Sequence, residues 1–121
     1  MKILIAEDDP VMLSVMAFQL KKDSHIISAN ADARAALLAM ETFNPDIIIT
    51  DILMPFTSGL EFIGIIRSSN LKVPILVVSA LDQETTVLEA LSLGADDFIT
   101  KPFEGQELSA MVKRLTGIKK K

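Results

Sequence analysis

Residues 45–55, which read PDIIITDILMP, decide the fold of this chain. The consecutive residues Ile47, Ile48 and Ile49 show no alternation with polar residues, and such continuous apolar runs are typical of β-strands buried on both faces. Strands of this kind occur almost only in parallel sheets whose two faces are covered by helices. We therefore predict a buried parallel strand that ends where Asp51 begins a loop.

Comparable apolar runs recur on both sides of this segment. We predict five strands, at residues 2–6, 25–29, 46–50, 74–79 and 97–100. The run at 25–29 is the more polar, which favours a position at the edge of the sheet. Between the runs, apolar residues recur at helical spacing at positions 13, 16, 17 and 20, at 33, 36, 37 and 40, and at 108, 111, 112 and 115. Each of these three sets of apolar residues lies on one face of a helix, and that face needs a sheet to cover it.

Capping signals predict two further helices. A Ser-x-x-Glu capping box at Ser58 and Glu61 opens one near residues 59–67, and Asp82 and Gly94 bracket another near residues 83–93. Alternating strands and helices predict a doubly wound α/β sheet with strand order 2-1-3-4-5, the flavodoxin-like three-layer sandwich. The fifth helix is expected to end near residue 115, which leaves no room for a further domain in the six residues that follow.

Composition narrows the classes of protein that fit. With 121 residues, 50% of them hydrophobic, the chain should form one domain over residues 1–118, followed by a lysine tail at 119–121. The absence of cysteine excludes disulfides, a thiol nucleophile and zinc–thiolate sites, and the single histidine, His25, is interpreted as structural. The net charge of −4 argues against binding to nucleic acid or to an anionic membrane surface. No apolar run is long enough for a membrane span or a signal peptide, so we expect a cytoplasmic protein.

Ligands of doubly wound proteins bind at the edge where the carboxyl ends of the parallel strands meet. The first predicted strand leads into Glu7 and Asp8, the third into Asp51, the fourth into Ser79 and the fifth into Lys101. The second strand contributes no charged residue. The sequence therefore predicts that reactive side chains from four strand ends share one pocket.

Carboxylates gathered in one pocket repel one another. Either their pKa values rise, or a cation lies among them, and the oxygen ligands of Glu7, Asp8 and Asp51 suit a hard ion such as Mg²⁺. The ammonium of Lys101 and the hydroxyl of Ser79 add positive charge and a hydrogen-bond donor for an anion. This set fits phosphoryl transfer, in which positive groups surround the equatorial oxygens of the phosphoryl group. Asp51 would be the nucleophile and would form an aspartyl phosphate.

Each of these residues also has a purely structural interpretation. Acidic residues at the start of a helix, such as Glu7, Asp8 and Asp9, stabilise the helix dipole. A turn cap explains Ser79 or Asp51 when either is taken alone. The structural interpretation does not explain why a lysine and a hydroxyl reach the same edge as the acids, so we favour the chemical one.

Four motifs together resemble the receiver domain of two-component response regulators over essentially the whole chain. They are ILIAEDDP at residues 3–10, PDIIITDILMP at 45–55 with Gly59, PILVVSA at 74–80 and GADDFITKPF at 94–103. Their order and spacing make this resemblance highly specific. It implies a signalling switch that uses Mg²⁺ and has no external small-molecule substrate.

The resemblance also implies a role for each matching residue. The implied roles are Asp51 as phosphoacceptor, Glu7, Asp8, Asp51 and the backbone carbonyl of Leu53 as Mg²⁺ ligands, Ser79 and Lys101 as contacts of the phosphoryl group, Ser79 and Phe98 as the switch, and Pro102 as the cis proline of the family. Phe98 departs from the tyrosine that the family often has at this position. Asp9 falls just outside the metal-binding pair.

Partners and alternatives follow from the same resemblance. A histidine kinase or phosphotransfer protein would supply the phosphoryl group from a phosphohistidine, and a downstream protein or output domain would detect the change. We expect a monomer or weak homodimer, and the chain fits either a stand-alone regulator or a receiver excised from a larger protein.

Two other functions fit parts of the same sequence pattern. One is a receiver-like interaction module that works without phosphorylation. The other is a flavodoxin-like or haloacid-dehalogenase-like hydrolase using Asp51. Both kinds of hydrolase fit badly. A flavodoxin-like protein should have a phosphate-binding loop after the first strand, where this chain has three acids. A haloacid-dehalogenase-like hydrolase should have a second carboxylate two residues past the nucleophile, where this chain has Leu53.

Leu53 and Leu81 lead to a prediction about the lifetime of the phosphoryl group. They lie two residues beyond Asp51 and Ser79, where their side chains are expected to overhang the phosphoryl site without being able to orient a water. Because hydrolysis needs an oriented nucleophile, we expect slow self-dephosphorylation. Release of radiolabelled phosphate at neutral pH measures the rate, and a half-life of seconds would contradict the prediction.

Overall fold

The computed structural model describes residues 1–81 and 83–117, in which strands and helices alternate. The strands are β1 (Lys2–Ala6), β2 (Ile26–Asn30), β3 (Ile47–Thr50), β4 (Ile75–Ser79) and β5 (Asp97–Thr100). The helices are α1 (Pro10–Lys22), α2 (Ala33–Phe43), α3 (Gly59–Ser68), α4 (Glu84–Leu93) and α5 (Gly105–Gly117). Every strand and helix predicted from the sequence is present.

The strands form one parallel sheet in the predicted order, β2-β1-β3-β4-β5. Nearly all of β1 and all of β3 and β4 are buried, which accounts for their continuous apolar runs. β2 lies at the edge, where Ile26 is 60% exposed. Ala6 pairs in register with Thr50, and Ser79 pairs with Thr100, so neighbouring strands end side by side.

Helices cover both faces of this sheet. The core on one face contains side chains of α2, α3 and α4, and the core on the other face contains side chains of α1 and α5. β3 supplies both cores, because Ile48 packs into the first and Ile47 and Ile49 pack into the second. The observed architecture is therefore the three-layer sandwich predicted from the sequence.

Some element boundaries differ from the sequence predictions. β2 begins at Ile26 rather than at His25, because the His25 N–H donates to the carbonyl of Leu20 at 3.2 Å and closes the turn after α1. α5 continues to Gly117, past the predicted end near Leu115. Local hydrogen bonds of this kind are not visible in hydrophobic periodicity.

Other predictions concern the helix ends. The capping box at Ser58 and Glu61 is present with both of its reciprocal hydrogen bonds. α4 begins at Glu84 with Gln83 as its N-cap, one residue after the predicted cap. Asp82 itself and the lysine tail at 119–121 lie outside the described residues. Among the residues that the structure describes, no helix is both long and apolar enough to cross a membrane.

His25 lies in the turn before β2 and lines a cavity together with Asp23 and Lys113. Its Nδ1 lies 3.3 Å from the amino group of Met1. Burial lowers the pKa of His25, the positive charge of the Met1 amino group lowers it further, and the carboxylate of Asp23 acts in the opposite direction. The surroundings of His25 therefore favour the neutral imidazole.

We predict that His25 titrates below the usual histidine pKa of about 6.5. A histidine with a lowered pKa binds fewer protons in the folded state, so its contribution to stability is present above about pH 6.5 and is lost as the pH falls through the folded-state pKa. NMR titration of this single histidine measures that pKa, and unfolding of His25→Gln should lack this part of the pH dependence. A folded-state midpoint at or above the usual value would contradict the prediction.

Candidate functional site

Four strand ends converge at one edge of the sheet. β1 leads into Glu7, β3 leads into Asp51, β4 ends at Ser79 and β5 leads into Lys101. Backbone hydrogen bonds join these ends, because the Asp51 N–H donates to the carbonyl of Ala6 at 3.0 Å and the Lys101 N–H donates to that of Ser79 at 2.9 Å. The parallel register therefore brings to one place residues that lie far apart in the chain.

Glu7, Asp8 and Asp51 form an acidic cluster at this edge. One carboxylate oxygen from each lies within 4.8 Å of the other two. Glu7 and Asp51 are buried, whereas Asp8 is exposed. Buried carboxylates need hydrogen-bond donors or a cation, because burying an unpaired charge is costly. The number, type and spacing of these oxygens fit a hard divalent cation that keeps part of its water shell.

The ammonium of Lys101 joins the two buried members of the acidic cluster. Its Nζ donates to Oε1 of Glu7 at 2.7 Å and to Oδ2 of Asp51 at 2.9 Å. The Lys101 side chain is only 16% exposed, so water screens these charge-assisted hydrogen bonds less than it screens a surface ion pair. Lys101 thus holds Glu7 and Asp51 next to each other.

Burial and ion pairing shift two pKa values at the site. Burial raises the pKa of Glu7 and the charge of Asp51 adds to this effect, while hydrogen bonds from Lys101 and from the Asp9 N–H oppose it. Burial by itself lowers the pKa of Lys101, but hydrogen bonds to Glu7 and Asp51 and the charges of these residues outweigh it, so the pKa rises. Lys101 therefore remains a cation throughout the physiological pH range.

The carboxylate of Asp51 is held at both oxygens. Oδ1 accepts a hydrogen bond from the Ile52 N–H at 2.6 Å, and Oδ2 accepts the bond from Lys101. Asp51 is 7% exposed, which limits access to its open side. Partners on both oxygens and nearly complete burial restrict this carboxylate to one orientation.

Ser79 and Phe98 occupy neighbouring strands. Ser79 is fully buried at the end of β4, and its Oγ accepts a hydrogen bond from the Leu81 N–H at 3.3 Å. Phe98 on β5 pairs in register with Val77 and is half-buried against the core formed by α2, α3 and α4. The structure therefore places Ser79 at the strand end that is hydrogen-bonded to Lys101, and the ring of Phe98 against the core on one face of the sheet.

Three further residues adjoin the site in the chain: Asp9, which the sequence placed outside the metal-binding pair, and the predicted site residues Leu53 and Pro102. The carboxylate of Asp9 accepts hydrogen bonds from backbone N–H groups in the first turn of α1 at 2.9 and 3.3 Å, and Asp9 is not part of the acidic cluster. The side chain of Leu53 is 59% exposed. The peptide bond between Lys101 and Pro102 is cis.

Gly59 supports Asp51 in a way that sequence reasoning missed. A Cβ atom at Gly59 would lie 1.9 Å from the backbone oxygen of Asp51. The Gly59 N–H donates to the carbonyl of Ile52 at 2.8 Å, and Thr50 Oγ1 donates to that of Asp51 at 2.8 Å. The start of α3 thus packs directly on the backbone that carries Asp51. A glycine at the first position of a capped helix was the available signal in the sequence.

Comparison with known proteins decides the family. The family described as response regulator receiver domain matches residues 3–113. The chain belongs to this family. The transcriptional regulatory protein SphR of alkaline phosphatase synthesis, from Synechococcus elongatus, is 36% identical over an alignment that covers 94% of this chain and 48% of SphR. PhoP of alkaline phosphatase synthesis, from Bacillus subtilis, is 34% identical over 114 residues, which cover 94% of this chain and 48% of PhoP.

Solved structures of receiver proteins share this fold. The receiver domain of the Francisella response regulator 1452 superposes with a TM-score of 0.92 and 31% identity, covering 98% of both chains. The Vibrio cholerae chemotaxis protein CheY4 gives a TM-score of 0.89 and 28% identity, covering 94% of this chain and 97% of that protein. These similarities confirm the fold class and the family resemblance.

Membership of the family indicates which partners and which metal ion receiver domains generally bind. Receiver domains of response regulators interact with histidine kinases and output domains, and generally bind Mg²⁺ at an acidic cluster. This chain spans about half the length of the curated relatives described above. Its own phosphoryl chemistry and partners are therefore matters for proposal.

We predict that Gly59→Ala destabilises the domain and displaces the backbone at Asp51. The added methyl group would lie 1.9 Å from a backbone oxygen, so α3 or the loop before it must shift. Overpacking of this kind costs about 1–3 kcal/mol in the free energy of unfolding, which denaturant titration measures.

Gly64→Ala is the matched control in the same helix. A Cβ atom at Gly64 has no neighbouring atom within 4 Å, and alanine in a helix interior is favoured over glycine by about 0.5–1 kcal/mol. The two substitutions should therefore change stability in opposite directions. Equal stability of both variants would show that Gly59 is not a constrained position.

Proposed function

We propose that this receiver domain accepts a phosphoryl group on Asp51 from a phosphohistidine of a histidine kinase or phosphotransfer protein. The supporting observation is the position of the Asp51 carboxylate, which is buried, belongs to the acidic cluster and lies 2.9 Å from the ammonium of Lys101. A carboxylate with a purely structural role does not need two further acids and a buried cation beside it. The arrangement supplies a nucleophile and a positive group for the incoming phosphoryl oxygens.

The acidic cluster would hold the metal ion of this reaction. Its carboxylate oxygens, within 4.8 Å of one another, fit a hard cation, and we assign Glu7, Asp8, Asp51 and the backbone carbonyl of Leu53 to Mg²⁺. Mg²⁺ at this position would neutralise charge on the phosphoryl oxygens. The exposure of Asp8 leaves this side of the cluster open to water and to the donor.

The residues of the chain would carry the transfer itself. A carboxylate oxygen of Asp51 forms a bond to phosphorus while the bond from phosphorus to the imidazole nitrogen of the donor breaks, and the electron pair returns to the imidazole. Lys101 lies within reach of a phosphoryl oxygen on Asp51 and remains hydrogen-bonded to Glu7. Ser79 supplies a hydroxyl at the same edge of the sheet. No external small molecule is turned over in this scheme.

We further propose that Ser79 and Phe98 convert phosphorylation into a change of surface. Movement of the Ser79 hydroxyl toward the phosphoryl group alters the space behind it, and the half-buried ring of Phe98 moves to fill that space. Because Phe98 lacks a phenol, burial of apolar area drives its inward movement without a competing hydrogen bond. The surface formed by α4, β5 and α5 would then differ between the two states.

The partners that fit this function are proteins. A kinase or phosphotransfer protein delivers the phosphoryl group, and an output domain or separate downstream protein detects the altered surface. The net charge of −4 disfavours nucleic acid as a ligand of this domain, and we assign the domain to the cytoplasm as a monomer or weak homodimer. We assign residues 1–118 to the receiver domain.

We expect acetyl phosphate to add one phosphoryl group to the protein only when Mg²⁺ is present. Intact-mass spectrometry measures the gain, and Asp51→Asn should abolish it because the nucleophilic carboxylate is removed. Asp46→Asn is the matched control, because Asp46 lies at the opposite end of β3 and is exposed. It should leave labelling intact.

Each alternative outcome of this experiment is informative. Failure of the native chain to gain mass would favour a receiver-like interaction module that works without phosphorylation. Labelling that persists in Asp51→Asn would place the phosphoacceptor elsewhere and would contradict the proposed function.

A further inference from the structure

Strand β2 forms an open edge of the sheet. It is the terminal strand in the order β2-β1-β3-β4-β5, so no other strand of the described chain lies on its outer side. Ile26 is 60% exposed, and Ala29 is exposed as well. The edge of a sheet presents backbone N–H and C=O groups that can pair with a further strand. β2 therefore offers a surface on which another strand can add to the sheet.

The hydrogen bonds between β1 and β2 define which residues face outward. The Ile26 N–H donates to the carbonyl of Met1 at 2.8 Å, so Ile26 faces β1. Bonding to the neighbouring strand alternates along a parallel strand, so Ser28 also faces β1. The backbone N–H and C=O groups of Ile27 and Ala29 point away from β1, toward the open side. These are the groups whose hydrogen bonds a further strand would complete.

The two edges of the sheet differ in charge. Residues 24–31 contain no proline and no acidic or basic residue other than His25. Burial lowers the pKa of His25, which favours its neutral form. At the other edge, β5 begins with Asp97, which is ion-paired with Arg114, and is followed by Lys101. Charged residues on an edge strand hinder pairing with another chain, so β5 is protected in a way that β2 is not.

We propose that β2 pairs antiparallel with β2 of a second copy of this chain, about a twofold axis at Ser28. In this register Ile27 of each copy lies opposite Ala29 of the other, and the two residues exchange their backbone hydrogen bonds. The outward groups of both residues are then paired in both copies. A twofold axis requires a self-complementary surface, and β2 provides one because a strand without charges brings no like charges together.

The expected dimer is weak. β2 has five residues and spans about 17 Å at about 3.3 Å per residue, so the contact is limited to one short pair of strands. Interfaces below about 1,200 Å² belong to the weak and transient class. We therefore expect a dissociation constant between about 10 μM and 1 mM.

Sedimentation velocity of the unphosphorylated protein over this concentration range tests whether it associates. The average mass of the native chain should rise from the 13.2 kDa monomer toward twice that value. Amide exchange measured by NMR shows where the copies meet. The N–H groups of Ile27 and Ala29 should exchange more slowly as the fraction of dimer rises. The Ser28 N–H is the internal reference, because it faces β1 and should be protected at every concentration.

Ala29→Pro tests the backbone hydrogen bonds directly. Proline lacks the N–H donor and is tolerated in edge strands where that N–H faces solvent, as it does at Ala29. The variant should remain folded, which circular dichroism checks, and should lose association over the whole concentration range.

A charge swap at Ser28 tests the position of the twofold axis. Ser28→Lys places two ammonium groups opposite each other at the axis, and Ser28→Glu places two carboxylates there, so each variant alone should associate at least tenfold more weakly than the native chain. An equimolar mixture of the two variants should regain association, because Lys then lies opposite Glu. Leu38→Lys is the control for added charge, since Leu38 is 65% exposed on α2 and should leave association unchanged.

The measurements distinguish the possible occupants of the β2 edge. A native chain that remains monomeric at 1 mM overturns the proposal and leaves the edge to a strand of a different protein. A dimer without slower exchange at Ile27 and Ala29, or one that the charge swap does not restore, forms through another surface and also overturns it. If Ala29→Pro does not fold, the charge swap decides. Because no phosphoryl donor is used, failure here does not affect the proposed phosphoacceptor function.

Discussion

The ammonium of Lys101, shared by two buried carboxylates, is the interaction on which the site depends. Glu7 and Asp51 are nearly inaccessible to water, and burying two neighbouring carboxylates is costly unless a cation lies between them. Lys101 provides that cation from a strand at the far edge of the sheet. The same ammonium, together with the Ile52 N–H, fixes the carboxylate of Asp51, the residue that we propose as phosphoacceptor.

The parallel sheet makes this interaction possible. Strands β1, β3, β4 and β5 end side by side, and backbone hydrogen bonds continue from the strands into the residues that form the site. The site is therefore attached to the most buried part of the molecule, whereas Asp8, its exposed member, faces solvent. Gly59 extends this support, because α3 begins in direct contact with the backbone of Asp51.

The sequence by itself determined the strands, the strand order, the edge position of β2 and the residues that gather at the ends of the strands. These predictions succeeded because burial on both faces leaves a continuous apolar run, and because parallel strands must end at one edge. Only the tertiary structure decided that Lys101 bridges Glu7 as well as Asp51, that Gly59 touches the backbone of Asp51, and that His25 belongs to a turn. Each of these features depends on contacts of individual atoms rather than on periodicity, and Lys101 and Glu7 are 94 positions apart in the chain. Hydrophobic pattern specifies which face of an element is buried, but only the packed fold specifies which atoms meet.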